Sequence, residues 1–112
     1  AILVQRRAEL EDLRGRIDSD VRTAFLDLDA AASQVRLAQK NQEVARDVLR
    51  LARERFEAGI ADSIEVVQAQ ETVAGADLDY ISSTFAHNLA KVGLVRAIGS
   101  AEESLTDFLK LP

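Results

Sequence analysis

The chain has 112 residues and a formal net charge of −5, and its 14 basic residues are interspersed with 19 acidic ones. This balance argues against a nucleic-acid-binding face and against electrostatic binding to a membrane surface. The absence of cysteine excludes disulfides and cysteine-based metal sites. Aromatic residues make up 4%, which favours long helices with small aliphatic contacts over a compact globule.

The beginning of the chain carries no targeting or membrane-spanning signal. The longest uninterrupted apolar run is residues 1–4, far too short for a transmembrane helix. The sequence starts at Ala1 without a methionine and without a signal peptide. We therefore expect a fragment of a longer protein, or a processed product.

Residues 5–57 are predicted to form one long helix, because they contain no proline and a single glycine, Gly15. Such a helix would be about 80 Å long, a length typical of coiled coils. Its small and apolar residues recur in alternating steps of three and four, the spacing of a coiled-coil seam. This main seam comprises Val21, Ala24, Leu28, Ala31, Val35, Ala38, Gln42, Ala45, Leu49, Ala52 and Phe56. One of its two columns is alanine throughout, which lets a facing helix approach closely.

The sequence 58–63 is predicted to be the tip at which the chain reverses direction. Gly59 can adopt the left-handed conformation that ends a helix. Either Asp62 or Ser63 can cap the next helix, and we favour Asp62 because Glu65 then occupies the third helical position, as in a capping box.

The second helix is predicted over residues 63–98 and is expected to end at Gly99, followed by a short segment at 100–112. In that segment residues 101–109 can form one further short helix, capped by Ser100. The helix carries two heptad patterns. Seam A contains Ile64, Val67, Glu71, Ala74, Leu78, Ile81, Phe85, Asn88, Val92 and Val95. Seam B contains Ala69, Val73, Ala76, Tyr80, Ser83, His87, Ala90, Leu94 and Ala97.

The first helix also has a weaker second stripe, formed by Ala30, Leu37, Val44, Val48, Leu51 and Ala58. A two-helix hairpin needs only one seam per helix, so two seams predict that each helix has two neighbours. The fold class is therefore all-α, a long antiparallel coiled-coil hairpin spanning 1–112. We expect it to be one stave in a curved sheet or ring of helices, and to expose a hydrophobic stripe when isolated.

Folding at the predicted tip pairs residues whose numbers sum to about 119, so Gly99 lies opposite residue 20. Residues 1–20 then have three possible partners: a neighbouring helix of a parent protein, the 101–109 segment, or a second copy of the chain.

The tip and its flanks resemble the hairpin signature of the TolC family of outer-membrane efflux proteins. In the stretch Arg53-Glu-Arg-Phe-Glu-Ala-Gly-Ile-Ala-Asp-Ser-Ile-Glu-Val-Val-Gln-Ala-Gln70, an aromatic residue, a glycine, an acidic residue and aliphatic residues follow the family spacing. The matching positions are Phe56, Gly59, Glu65, Val66, Val67 and Ala69. Phe85 stands where the family commonly has tyrosine, residues 97–99 resemble its Ala-Leu-Gly helix end, and residues 21–35 resemble its helix leading to the tip. The resemblance covers about residues 15–105.

The resemblance implies a homotrimeric channel in which each protomer contributes two such hairpins to a periplasmic α-barrel, and this chain is similar to the C-terminal repeat. It implies that Ala58, Gly59 and Ile60 meet a periplasmic adaptor (membrane fusion) protein, and through it an inner-membrane pump. Glu65 matches an acidic residue that lines the aperture in some members. Gln68, the other aperture-lining candidate, departs from a second acidic residue, and Ala61 departs from a basic one, so a tightly salt-bridged closed gate is not expected.

Several residues have a plainer interpretation beside the functional one. The plainer interpretation of Glu65 is a helix N-terminal acid favoured by the dipole. Glu71 pairs with Arg46 or Arg50 of the facing helix or lies at the solvent edge, and His87 and Tyr80 are expected to pack. Close helix contact is our interpretation of Gly75 and Gly93.

No phosphate loop, nucleophile motif or metal-ligand spacing occurs in the sequence. We therefore predict no enzyme activity, no cofactor, no metal and no nucleic-acid partner. The alternatives to a channel segment are the hairpin of an adaptor protein and a generic coiled-coil scaffold. The adaptor signature Arg-x-x-x-Leu-x-x-x-Ser is not matched, because Arg55 is followed four residues later by Gly59.

Overall fold

The computed structural model describes residues 1–110 and contains two antiparallel helices, α1 (Ile2–Glu57) and α2 (Ser63–Lys110), joined by a short turn. The described residues contain no strand. The predicted all-α helical hairpin is confirmed. The last two residues of the predicted 100–112 segment lie outside the described residues.

The bounds of both helices differ from the prediction. The first helix begins at Ile2, three residues earlier than expected. The predicted end of the second helix at Gly99 is wrong, because α2 continues without a break to Lys110 and includes the segment expected to form a separate helix. Gly59 is the one described glycine with a positive φ, so Gly99 keeps helical geometry. A helical glycine costs only about 1 kcal/mol relative to alanine, which neighbouring contacts can offset.

The chain divides into two units, which are built from different parts of the same two helices. One unit comprises Ala31–His87 and includes the turn; the other comprises Ala1–Ala30 with the described residues from Asn88 onward. The prediction of a single helical-hairpin fragment over 1–112 stays a prediction.

The core of the unit 31–87 consists of alanine side chains. The buried residues are Ala38, Ala45, Ala52, Ala69 and Ala76, each between 3% and 9% exposed. All of them belong to the small-residue columns of the main seam and seam B. Because each of these side chains is a single methyl group, the two backbones can approach closely here. The last residue of the main seam, Phe56, lies beside the turn and is 49% exposed.

In the other unit, the beginning of α1 packs on the end of α2. The Arg6 guanidinium lies 4.4 Å from the centroid of the Phe108 ring, and its Nη2 donates a 3.4 Å hydrogen bond to the Phe108 carbonyl oxygen. Leu10, Ile17 and Leu105 line one apolar cavity of about 520 Å³. Of the three partners considered for residues 1–20, the 101–109 segment is therefore the one that this structure contains.

The remaining apolar patterns of both helices face solvent. Every residue of seam A is exposed, and its large aliphatic and aromatic members are 50–69% exposed. The weaker stripe of α1 is exposed at every position, with its leucines and valines at 47–54%. Seam B, by contrast, is buried or half-buried at every position. The predicted exposed hydrophobic stripe is confirmed, and it occurs on both helices.

Candidate functional site at the hairpin tip

The end of α1 is a complete Schellman motif. Gly59 has φ of +75°, its N–H donates to the Phe56 carbonyl oxygen at 3.0 Å, and the Ile60 N–H donates to the Arg55 carbonyl oxygen at 2.9 Å. These are the two bonds that define the motif, with glycine at the left-handed position. The Ala61 N–H also donates to the Arg55 oxygen, at 3.3 Å. The turn therefore has a fixed path.

The start of α2 is capped by Asp62. Its Oδ1 accepts hydrogen bonds from the backbone N–H groups of Ile64 at 3.2 Å and Glu65 at 3.4 Å. These are the second and third positions of the helix, as expected for an N-cap carboxylate. The choice of Asp62 over Ser63 is confirmed. The reciprocal hydrogen bond of a capping box, from the Asp62 N–H to the Glu65 side chain, is not formed, because the Glu65 side chain pairs with a residue of α1 instead.

The Glu65 carboxylate pairs with Arg55 across the tip. The Arg55 Nε lies 3.1 Å from the Glu65 Oε1, and both side chains are about half-exposed, at 51% and 42%. Arg55 is in the last turn of α1 and Glu65 in the first turn of α2, so each charge also complements its helix dipole.

The other predicted tip residues are exposed. Ala58 and Gly59 face solvent, and the Ile60 side chain is 68% exposed. Gln68, the second aperture-lining candidate, is exposed on α2, one helical turn after Glu65. The structure thus brings all five predicted site residues to one end of the hairpin. Their docking and aperture roles stay predictions.

A polar cluster within the unit 31–87 was not predicted. Asp77 Oδ1 accepts hydrogen bonds from Gln42 Nε2 at 2.8 Å and from Arg46 Nη2 at 3.1 Å. Gln42 is the one polar member of the main seam, and residue numbers 42 and 77 sum to the predicted 119. The pattern and the register together contained the signal for this contact.

The remaining predictions concern single residues of α2, and the structure agrees with some of them and not with others. Glu71 is exposed, and among the ion pairs between described residues none includes it, so the solvent-edge interpretation is the one found. His87 and Tyr80 are half-buried in seam B, in agreement with a packing role. A Cβ added at Gly75 or Gly93 would meet no atom within 4 Å, so close contact within this chain does not explain these glycines.

Within residues 1–110, no group of three or more acidic or histidine side chains is placed to hold a metal ion. In the same range, neither helix has a stretch that is long and apolar enough to cross a membrane.

Comparison of the sequence with known proteins identifies a matching family. A family model described as "Outer membrane efflux protein" matches residues 3–100. The match includes the tip and every residue of the main seam, the weaker stripe, seam A and seam B. No curated protein and no solved structure matches the chain.

Proposed function

We propose, because the chain belongs to the outer membrane efflux protein family, that it is one periplasmic hairpin of an efflux channel and that its tip docks an adaptor protein. The hairpin would be one stave of an α-helical duct formed by three protomers. Its contribution to transport would be to form the conduit, without chemistry of its own.

The observation that carries the proposal is the pair of uncovered apolar patterns. Seam A of α2 and the weaker stripe of α1 repeat at heptad spacing, yet both face solvent. Heptad spacing is the pattern by which one helix packs along another. An exposed apolar surface of this extent marks an interaction site. Each helix therefore has a second face that suits a neighbouring helix of the duct.

The geometry of the tip supports adaptor docking. The left-handed Gly59 and its two Schellman hydrogen bonds hold the turn in one conformation, and Ile60 projects from it with 68% of its surface exposed. A preorganised turn loses little conformational freedom on binding. Because glycine lacks a Cβ, a partner backbone can approach the turn closely. The partner would be a periplasmic adaptor that connects the channel to an inner-membrane pump.

The alternative, a hairpin of the adaptor itself, is disfavoured by the family match over residues 3–100. A generic coiled-coil scaffold would not require a second heptad pattern on each helix.

Replacing Gly59 with tryptophan in the full-length channel protein tests the docking role. We expect helicity to be retained and export in the presence of the adaptor to be lost. Because a side chain at positive φ costs about 1–2 kcal/mol, Ile60→Asp serves as a second variant that places no strain on the backbone. The matched control is Gly15→Trp, at an exposed site where an added Cβ meets nothing.

Export at the unsubstituted rate in both Gly59→Trp and Ile60→Asp would reject docking through the tip. Loss of export in Gly15→Trp as well would show that the effect of tryptophan is not specific to the tip. Binding of purified adaptor, measured beside export, separates lost docking from lost assembly.

A further inference from the structure

The ion pair between Arg55 and Glu65 differs from most ion pairs in the described chain. Six of the eight join residues three or four apart on one helix. Among the ion pairs within residues 1–110, only Arg46–Asp77 and Arg55–Glu65 connect α1 to α2. The second of these lies directly beside the turn.

Both partners of this pair are positioned by the backbone of the turn. The carbonyl oxygen of Arg55 accepts hydrogen bonds from the N–H groups of Ile60 and Ala61, at 2.9 and 3.3 Å. On the other side, the Glu65 N–H is held by the Asp62 carboxylate. The backbone therefore fixes both Cα atoms, and the side chains have only to close the remaining gap.

We propose that Arg55 is a specificity-determining residue of the aperture, because it neutralises the Glu65 carboxylate within the same hairpin. This inference rests on the proposed function and on the expectation, implied by the family resemblance, that Glu65 lines the aperture of the channel. A ring of free carboxylates would attract cations and repel itself. A ring of Arg55–Glu65 pairs adds no net charge, so the aperture admits cargo with less discrimination by charge.

The second aperture-lining candidate is neutral. Gln68 follows Glu65 by one helical turn on α2 and carries an uncharged amide. Neighbouring Arg53 makes no ion pair within residues 1–110 and is exposed. Arg53 therefore provides a control from which the same charge can be removed without breaking an ion pair.

The first experiment tests the pair alone in the 112-residue chain. Arg55→Gln, Glu65→Gln and the double variant form a double-mutant cycle, measured by urea unfolding at low and high salt. We expect a coupling of about two- to fivefold in the unfolding equilibrium constant at low salt, as for a half-exposed pair. The coupling should disappear near 1 M salt. Additive effects at low salt would overturn the inference whatever the chain's function is.

The second experiment tests the consequence for the aperture, by planar-bilayer conductance of the full-length channel. Arg55→Gln should raise the ratio of cation to anion permeability by about fourfold for each unpaired carboxylate 10 Å from the ion, because that charge favours a cation and disfavours an anion by about twofold each. Arg55→Gln combined with Glu65→Gln should restore the original ratio, and Arg53→Gln should leave it unchanged. A merely structural role for Arg55 would not alter ion selectivity.

The outcomes separate the two levels of the proposal. An equal change in Arg53→Gln and Arg55→Gln would overturn the role of Arg55, because it would reflect general surface charge. Coupling in the first experiment, together with a permeability ratio that ignores Glu65→Gln, would instead reject the placement of Glu65 at the aperture.

Discussion

The same substitution, glycine to alanine, should have opposite effects at two positions of this chain. Gly59 has φ of +75° and Gly75 lies within the helix Ser63–Lys110. At both, an added Cβ would meet no atom within 4 Å. Steric contact with the rest of the protein therefore contributes to neither variant. The backbone conformation alone decides whether alanine raises or lowers the free energy of unfolding.

The expected magnitudes follow from the conformations. Alanine at Gly59 must adopt the left-handed region, at a cost of about 1–2 kcal/mol. Alanine at Gly75 stabilises the helix by about 0.5–1 kcal/mol, because glycine loses more conformational freedom on folding. The two variants should thus differ by about 1.5–3 kcal/mol in free energy of unfolding. For a chain of this length, that is about 6–13 °C between their melting temperatures.

Thermal unfolding followed by helical circular dichroism measures the difference directly. Gly59→Asn is the control, since asparagine tolerates the left-handed conformation better than alanine and should lose less stability. Melting temperatures that shift in the same direction for Gly59→Ala and Gly75→Ala would refute the reasoning. That result would mean one of two things. Either the turn can change to a negative φ at residue 59 at little cost, or a side chain at position 75 contacts other atoms of the protein.

Three further changes test the seam, the cap and the exposed stripe. Ala38→Leu should lower the free energy of unfolding by about 1–3 kcal/mol through overpacking, and the exposed Ala30→Leu is its control; equal melting temperatures would place Ala38 outside the close seam. Asp62→Ala should cost about 1 kcal/mol and Ser63→Ala much less, as measured by urea unfolding; the reverse order would move the cap to Ser63. Ile81→Glu should change the stability of the chain by no more than about 0.5 kcal/mol yet weaken assembly of the full-length channel, measured by sedimentation; unchanged assembly would argue against a partner on seam A.

The fold of the hairpin followed from the sequence where periodicity and turn chemistry agree. The alanine columns were predicted as close contacts and supply all five residues that are buried in the described part of the chain. Gly59 and Asp62 each have the conformation or hydrogen bonds that their residue types favour at a turn. Periodicity also identified the stripes that stay exposed, because heptad spacing is retained whether or not a partner covers it.

The misprediction at Gly99 has a physical cause. Glycine ends a helix only when the chain gains from turning there, and here Ala101, Ser104, Leu105 and Phe108 continue to bury part of their surface. A single helical glycine destabilises a helix by about 1 kcal/mol, and those contacts can offset this cost. Local propensity was therefore overridden by contacts between residues about 100 positions apart, such as Arg6 and Phe108.

The polar side-chain contacts between the helices near the turn show a different limit. The register alone pairs Gln42 with Asp77, and it places Arg55 within one residue of the position facing Glu65. Choosing among neighbouring arginines, however, depends on side-chain reach. Arg46 and Arg50 both lie near the facing helix, but Arg46 bonds to Asp77 while Arg50 turns to Glu54 on its own helix. Spacing can place such charges close together without deciding which pair forms.

The all-alanine core has a consequence for how the protein matures. Burial of five methyl groups removes little apolar surface from water. The larger apolar side chains of seam A and the weaker stripe remain exposed to solvent. In the proposed duct, much of the hydrophobic stabilisation would be gained only when neighbouring helices cover these patterns. The proposed association therefore predicts that resistance to heat and proteases rises with protein concentration, since association stabilises the folded form by mass action.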